Sequence, residues 1–369
     1  MAAGKRKETR TSAVIFPLGP YHPILSEPYA LRLRLQSDRV VAATGPVTGY
    51  GRRDLLGLVA GQSVEDTLVV LERACAHVGQ AYRLALSIAI ERTTRANTPR
   101  SAQLARVFFA ELEMAQSALW GLAELARALN LPALRARGLE QRERVYAAAL
   151  EATGERVYWG IAQPGGVREG IQFAAARAIL DWLPDVVDSW RVATAPAGGL
   201  RRAAERVDRD APDQPPAEAA ARTSTLMRED ARREAPYGGY RLITLDWSPL
   251  DSGQDITSSV AARAVGLVTR LKLSADIMRV CAQSLDNAEL GHAPTPLVAG
   301  HGAVTVQTAH GPARLDVTMT SAQTVGEVRL VTPCADMLAE TPDWLAGRRL
   351  AHVPALMACL NLCPSCADL

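Results

Sequence analysis

One stretch limits the fold of this chain more than any other: SAQLARVFFAELEMAQSALWGLAELARALN, residues 101–130, set between Pro99 and Pro132. Its apolar residues recur every three or four positions with no interior proline, which is the period of a long helix with a broad buried face. Such a helix needs neighbours to cover that face. The same period recurs in SVEDTLVVLERACAHVGQAYRLALSIAIERT (63–93), with Ser63 placed as an N-cap, in LEQRERVYAAALEATG (139–154) and in EGIQFAAARAILDWLPDVVDSWRVA (169–193). These segments predict a helical bundle.

The flanks follow other rules. YALRLRLQ (29–36) alternates apolar and charged residues, a turn-like QSDR follows, and VVAA (40–43) continues, so a small antiparallel sheet is expected there. Residues 194–235 are rich in Pro, Ala and charge with little apolar periodicity, and read as a flexible linker or insertion. Beyond them comes a helical pattern over 255–285, strand-like GAVTVQTAHGPARLDVTM (302–319) and GEVRLV (326–331), and a last short helix. The expected class is α+β, mainly α: a central helical bundle with small antiparallel sheets at the edges. Its segments are a disordered leader (1–12), a β-rich segment (13–60), the bundle (61–193), the linker (194–235) and a C-terminal α+β segment (236–369) that carries a CxxC.

Several function classes are set aside by composition. A net charge of +2 spread over mixed residues gives no concentrated basic face, so nucleic acid is not an expected partner. The apolar run LALSIAI (84–90) falls far short of the ~20 residues that span a bilayer, and MAAGKRKETR is followed by no apolar signal core. Six cysteines in a chain of this size do not form a secreted disulfide framework, and a reducing, cytoplasmic setting is expected. Four of them fall at or after Cys334, and LNLCPSCADL places Cys363 and Cys366 two residues apart with Cys359 upstream. A CxxC pair alone leaves metal binding, redox cycling and simple packing open.

A family resemblance narrows this choice. GPYHPILSEP (19–28) resembles the G-P-x-H-P-x-x-x-E-P opening of membrane-bound, complex I-related hydrogenases, and TGYGRR (48–53) stands where they have G-Y-x-H-R-G. ERACAHVGQAYRLALSIAIE (72–91) resembles their E-R-I-C-G-x-C segment, and RSAQLARVFFAELEM their R-A-x-x-I-R-V-L-F-A-E-L-E-R. ATGERVYWGIAQPGGV resembles the T-G-x-R and P-G-G-V block, REDARREAPYGGY resembles D-x-R-x-x-x-P-Y-x-x-Y, and the last cysteine pair resembles D-P-C-x-x-C. The blocks run in order along most of the chain. It thus resembles the superfamily of group 4 [NiFe] hydrogenase large subunits and the quinone-site large subunit of respiratory complex I, the NADH-quinone oxidoreductase.

That resemblance implies an oxidoreductase subunit with a thiolate metal site built from Cys75, Cys363 and Cys366, because soft sulfur donors suit nickel and iron. It also departs from the pattern at the metal. The second N-terminal cysteine position is Val78, the following His is Tyr82, the His of G-Y-x-H-R-G is Arg52, and Asn361 and Leu362 replace the Asp and Pro before the last pair. The expected cofactor is therefore open among Ni–Fe, another thiolate-bound metal and none, with Cys359 or His77 as substitute ligands. His22 and Glu27 are the candidate catalytic residues, Glu27 as a carboxylate on a proton route. The quinone-site residues of the complex I branch fall on Ser26 and Ala76, so only His22 matches there. Implied partners are a small iron–sulfur subunit that holds an Fe–S cluster, a 30 kDa-type companion and membrane-arm subunits. The implied location is peripheral, on the inner face of the cell membrane. The alternative is a non-catalytic scaffold that has lost the NiFe centre.

Three other patterns carry less. The spacing of Cys359, Cys363 and Cys366 matches a radical SAM cluster, but no barrel-like pattern follows it. His292, His301 and His310 at nine-residue intervals read as solvated turn residues. The charged pairs of ELEMAQ, EQRER and REDARRE read as solvated helix faces.

Overall fold

A computed structural model describes residues 13–25, 27–50, 54–94, 97–210, 229–251, 259–285, 290, 296–361 and 363–369. The expected leader, Ser26, Arg52, His292, Leu362 and residues 211–228 of the expected linker lie outside the described residues.

Helices dominate, with three small antiparallel sheets, as the periodicities predict. The first sheet has the order β1 (Val14–Leu18), β2 (Ala30–Gln36), β3 (Arg39–Val47). Alternation along β2 buries Leu31, Leu33 and Leu35 and turns Arg32 and Arg34 outward, as a half-covered strand requires. Backbone hydrogen bonds then tie β3 to a segment near the other end of the sequence: Val40 N–H donates to Arg348 O at 2.8 Å and Gly347 N–H to Val40 O at 2.7 Å.

The bundle consists of α1 (Val64–Glu72), α2 (Gly79–Thr94), α3 (Arg100–Ala128) and α4 (Pro132–Thr153). The Ser63 hydroxyl caps α1 by accepting from Asp66 N–H at 3.1 Å, as expected from the sequence. α3 is the axis: α4 packs on one side and α7 (Val260–Ser284) on another. α5 (Leu183–Thr194) and α6 (Gly199–Arg209) cover α7. α6 falls inside the stretch expected to be a linker. Its four apolar positions Leu200, Ala203, Ala204 and Val207 all point inward, a periodicity masked in the sequence by the arginines among them.

The last sheet has the order β6 (Gly300–Thr308), β7 (Gly311–Met319), β8 (Val325–Val331), and it lies against α2. A Cβ on Gly302 would fall 1.9 Å from Ala89 O, so only glycine permits this approach of strand to helix. α8 (Cys334–Ala339) and α9 (Val353–Leu360) lead to the C-terminal cysteine loop.

The blocks that carry the family resemblance are clasps between these elements. Glu111 on α3 is fully buried, accepts two bonds from Arg232 Nη1 at 2.9 Å each and one from Tyr240 Oη at 2.6 Å, while Asp230 takes the other edge of the same guanidinium. Glu91 accepts from Gly165 N–H and pairs with Arg106, which donates to Gly166 O and so holds the short β4–β5 hairpin (Ala162–Gln163, Gly166–Val167). The expectation that ELEMAQ and REDARRE are solvated faces is thus overturned: Glu111, Glu113, Asp230 and Arg232 are buried and paired. Buried charges persist because each finds an opposite charge or several hydrogen bonds.

Candidate metal centre

The connection from α1 to α2 is wound tightly. A Cβ on Gly79 would meet Glu72 O at 2.0 Å, so the chain can double back there only through glycine, and this turn aims Cys75 inward. Four side chains then converge. Ligand atoms of Cys75, His310, Cys363 and Cys366 all lie within 4.8 Å of one another, and all four residues are buried. Cys75 Sγ and Cys363 Sγ are 3.5 Å apart although 288 positions separate them in sequence.

Each donor is held by local structure. His310 occupies the two-residue turn between β6 and β7, where Thr308 Oγ1 accepts from its N–H and donates to Gly311 O. Its Nδ1 is 2.8 Å from Asn361 O. Asn361 is left-handed at φ 49°, a conformation that asparagine tolerates, and it ends α9 so that its carbonyl faces the ring. Cys363 and Cys366 flank a 3-10 turn closed by Cys366 N–H to Cys363 O at 3.0 Å, and Thr332 Oγ1 donates to Cys366 O. Two donors point at the sulfurs: Tyr82 Oη at 3.1 Å from Cys366 Sγ, and His77 N–H at 3.4 Å from Cys75 Sγ. Burial raises the Tyr82 pKa well above its ordinary value, so the phenol keeps its proton and donates.

The electrostatics are those of a thiolate site. The Cys366 and Cys75 thiols draw the Cys363 pKa down, and His310 adds to this. Burial alone would lower the His310 pKa, but the sulfurs of Cys334, Cys363 and Cys75 around the ring raise it well above the ordinary value. Cys334, at the start of α8, stands beside Cys366, whose contact lowers its pKa to about 7. It lies outside the mutually close set.

The residues expected from the sequence fare as follows. Cys75, Cys363 and Cys366 do meet. The two substitute ligands do not close the set. Cys359 turns away to donate to Leu356 O at 3.1 Å within α9, and burial raises its pKa to about 11. His77 sits beside Trp120 and faces the His310 ring edge at 6.3 Å between centroids, its pKa lowered to about 4 by burial. Val78 is fully buried in the core. His310, expected in a solvated turn, is the fourth donor; of its two companions, His301 is exposed on β6 beside Asp316. His22 Nδ1 accepts from Ile24 N–H at 3.3 Å and so folds its own loop. Neither it nor Glu27 joins the donor cluster, although Ile24, Leu25 and Tyr29 of that loop line a small cavity together with Asn361 and Pro364.

Glu113 lies one layer out. Its carboxyl accepts from Gln80 N–H at 2.7 Å and Ala81 N–H at 3.0 Å, and Gln80 Nε2 donates on to Glu72 at 2.7 Å. Burial raises the Glu113 pKa from 4.5 to about 8, against the opposing pull of those two amides. A carboxyl raised on folding favours the native state most below its unfolded pKa of 4.5, and that contribution is lost as pH rises towards 8. Glu113→Gln is therefore expected to flatten the decline in stability between those two pH values; urea unfolding at both ends of the window checks it. An unchanged slope would remove Glu113 as the source.

Comparison with known proteins agrees with this architecture. No family model matches the chain. The carbon monoxide-induced hydrogenase of Rhodospirillum rubrum is 21% identical over 376 residues, 97% of this chain and 99% of that protein. An NADH-quinone oxidoreductase subunit of Thermosipho melanesiensis is 26% identical over 171 residues, and there the chain spans only 46% of the relative's length. The membrane-bound hydrogenase subunit alpha of Pyrococcus furiosus is 27% identical over 170 residues, 40% of that protein. A chain in the structure of the membrane-bound sulfane sulfur reductase, an archaeal respiratory membrane complex, superposes with a TM-score of 0.80 over 98% of this chain at 19% identity, which establishes the fold. The chain is a homologue of the NADH-quinone oxidoreductase and membrane-bound hydrogenase large-subunit proteins, with a degenerate N-terminal metal motif.

Proposed function

We propose that the protein is the large subunit of a membrane-associated, hydrogenase-like or complex I-like oxidoreductase complex, in which electrons pass at an altered thiolate centre. The observation that carries this reading is the likeness over nearly the whole chain to the carbon monoxide-induced hydrogenase, combined with a buried donor cluster assembled from the same two cysteine segments. No helix among the described residues is long and apolar enough to cross a membrane, so attachment would run through partner subunits. A small iron–sulfur subunit would dock over the Cys75 and Cys363/Cys366 face, a 30 kDa-type companion beside it, and the membrane-arm subunits beneath. Glu27 would carry protons at the edge of this face, in the loop that His22 folds.

A dinuclear nickel–iron group does not suit these residues. It needs four thiolates, two of them bridging, and Val78 occupies the position of the second N-terminal cysteine. Val78 also favours a second reading, a scaffold that kept the docking surfaces and lost the centre. Affinity purification of the tagged protein from native membranes tests complex membership. An iron–sulfur subunit and membrane subunits are expected in stoichiometric amounts; recovery of the chain alone from the soluble fraction, with none of them, would refute it. Electron transfer from the reduced partner to dye, measured on the purified complex, separates the oxidoreductase from the scaffold.

A further inference from the structure

We infer that Cys75, Cys363, Cys366 and His310 Nε2 form a single tetrahedral site for one divalent ion of the zinc or ferrous class, with His310 in the ligand role that Val78 cannot fill. The inference concerns the ion and its fourth ligand and does not depend on membership of a complex.

Three independent observations converge on it. First, the donor count and type match: three sulfurs and one imidazole nitrogen, mutually within 4.8 Å and buried, with no carboxylate among them. A tetrahedral ion with metal–sulfur bonds of about 2.3 Å sets its sulfurs roughly 3.8 Å apart. The 3.5 Å between Cys75 and Cys363 already approaches this, and the rest of the set needs only a small contraction. Second, His310 Nε2 is buried and has no hydrogen-bond partner among the described residues. An imidazole nitrogen left so is costly unless something occupies it. Third, the opposite nitrogen is committed: Nδ1–H to the Asn361 carbonyl at 2.8 Å fixes the tautomer that presents an Nε2 lone pair. That is the arrangement by which metal-bound histidines are held in orientation.

The surroundings support thiolate ligands. Tyr82 Oη and His77 N–H each donate to a cluster sulfur, and such bonds spread the negative charge of a site with three thiolates. Soft donors in tetrahedral array select zinc or iron over harder cations. Cys334 is the competing fourth ligand. It contacts Cys366 but lies outside the mutually close set, so it is assigned as a neighbour of the ligand sulfur.

The test uses the protein purified anaerobically with its associated subunits, stripped of the ion at this site and titrated with Co2+ as the probe. One Co2+ per large subunit is expected to give intense tetrahedral ligand-field bands with sulfur-to-cobalt charge transfer. His310→Ala should weaken Co2+ binding by roughly 100-fold or more, beyond the loss of an outer-shell partner. His310→Cys should keep tight binding and shift the bands to those of a four-sulfur site, which guards against simple misfolding of the alanine variant. Cys334→Ser should leave affinity and spectrum unchanged. Two metal ions per chain, a disulfide among Cys75, Cys363 and Cys366 in place of Co2+ uptake, or a Co2+ spectrum lost in Cys334→Ser but kept in His310→Ala would each overturn the assignment.

Discussion

Arg232→Met is expected to destabilise the protein by about 3–5 kcal/mol, the cost of leaving a buried charge without its partner. Its guanidinium is almost wholly buried and satisfies two carboxylates at once, both oxygens of Glu111 through Nη1 and both oxygens of Asp230 through Nε and Nη2. Methionine fills similar volume, so packing changes little and the loss is electrostatic. Of the donors that hold Glu111 in this clasp, only Tyr240 would then remain. The double variant Arg232→Met/Glu111→Leu is expected to recover a substantial part of the loss, because it removes the stranded charge together with its partner. Denaturant unfolding of both variants checks the pair. A single variant within about 1 kcal/mol of the native protein would show that the network contributes little.

The second large effect concerns Cys363→Ser. Cys363 is the sulfur common to the contacts of the site: it lies 3.5 Å from Cys75, its pKa responds to Cys366 and to His310, and the 3-10 turn begins at its carbonyl. A serine oxygen sits closer to its own backbone and is a harder donor, so it can neither reach the same point nor match the preference of a soft ion. Bound metal is expected to fall from about one ion per chain to a small fraction of that, a loss of at least roughly 100-fold in affinity by comparison with lesser, outer-shell changes. Association with the partner subunits should largely persist, since the clasps at Glu111, Glu91 and β3 are distant from this sulfur in the chain. Elemental analysis of the purified complex and the ratio of co-purified subunits report the two effects separately. Unchanged metal content would remove Cys363 from the ligand set.

Much of the fold was readable from side-chain period alone, because α3 is long, uninterrupted by proline and buried along most of its length. β2 was readable for the same reason, its leucines and arginines alternating cleanly. Where charge outweighed the apolar pattern, periodicity failed. α6 hides four inward positions among arginines, and Glu111 and Asp230 look like surface residues until Arg232 joins the two segments in space.

The site divides in the same way. Cys75, Cys363 and Cys366 could be matched because they fall in recognisable local blocks. His310 could not, since nothing in its spacing from His301 and His292 tells a buried hairpin tip from a wet loop. A local signal did exist: Ala309 and His310 form a two-residue turn between alternating strands, and the pairing of Thr308 with Gly311 fixes where the ring points. The resemblance blocks themselves turned out to be mainly clasps. Glu72, Glu91, Arg106, Glu111 and Arg232 hold elements together, so they can outlast a change of metal chemistry.

The hairpin that carries His310 has a further consequence. The four donors arrive from three pieces of chain, the turn before α2, the β6–β7 tip and the loop after α9, and Cys75 is 288 positions from Cys363. None of these pieces can hold an ion in tetrahedral array by itself. Capture therefore becomes a late event that reports a finished tertiary structure, and an ion once held would act as a cross-link over one of the longest loops that the chain can close. Partial opening of the hairpin alone would remove one donor from the set. The centre would then lose its ion before the bundle loses its shape.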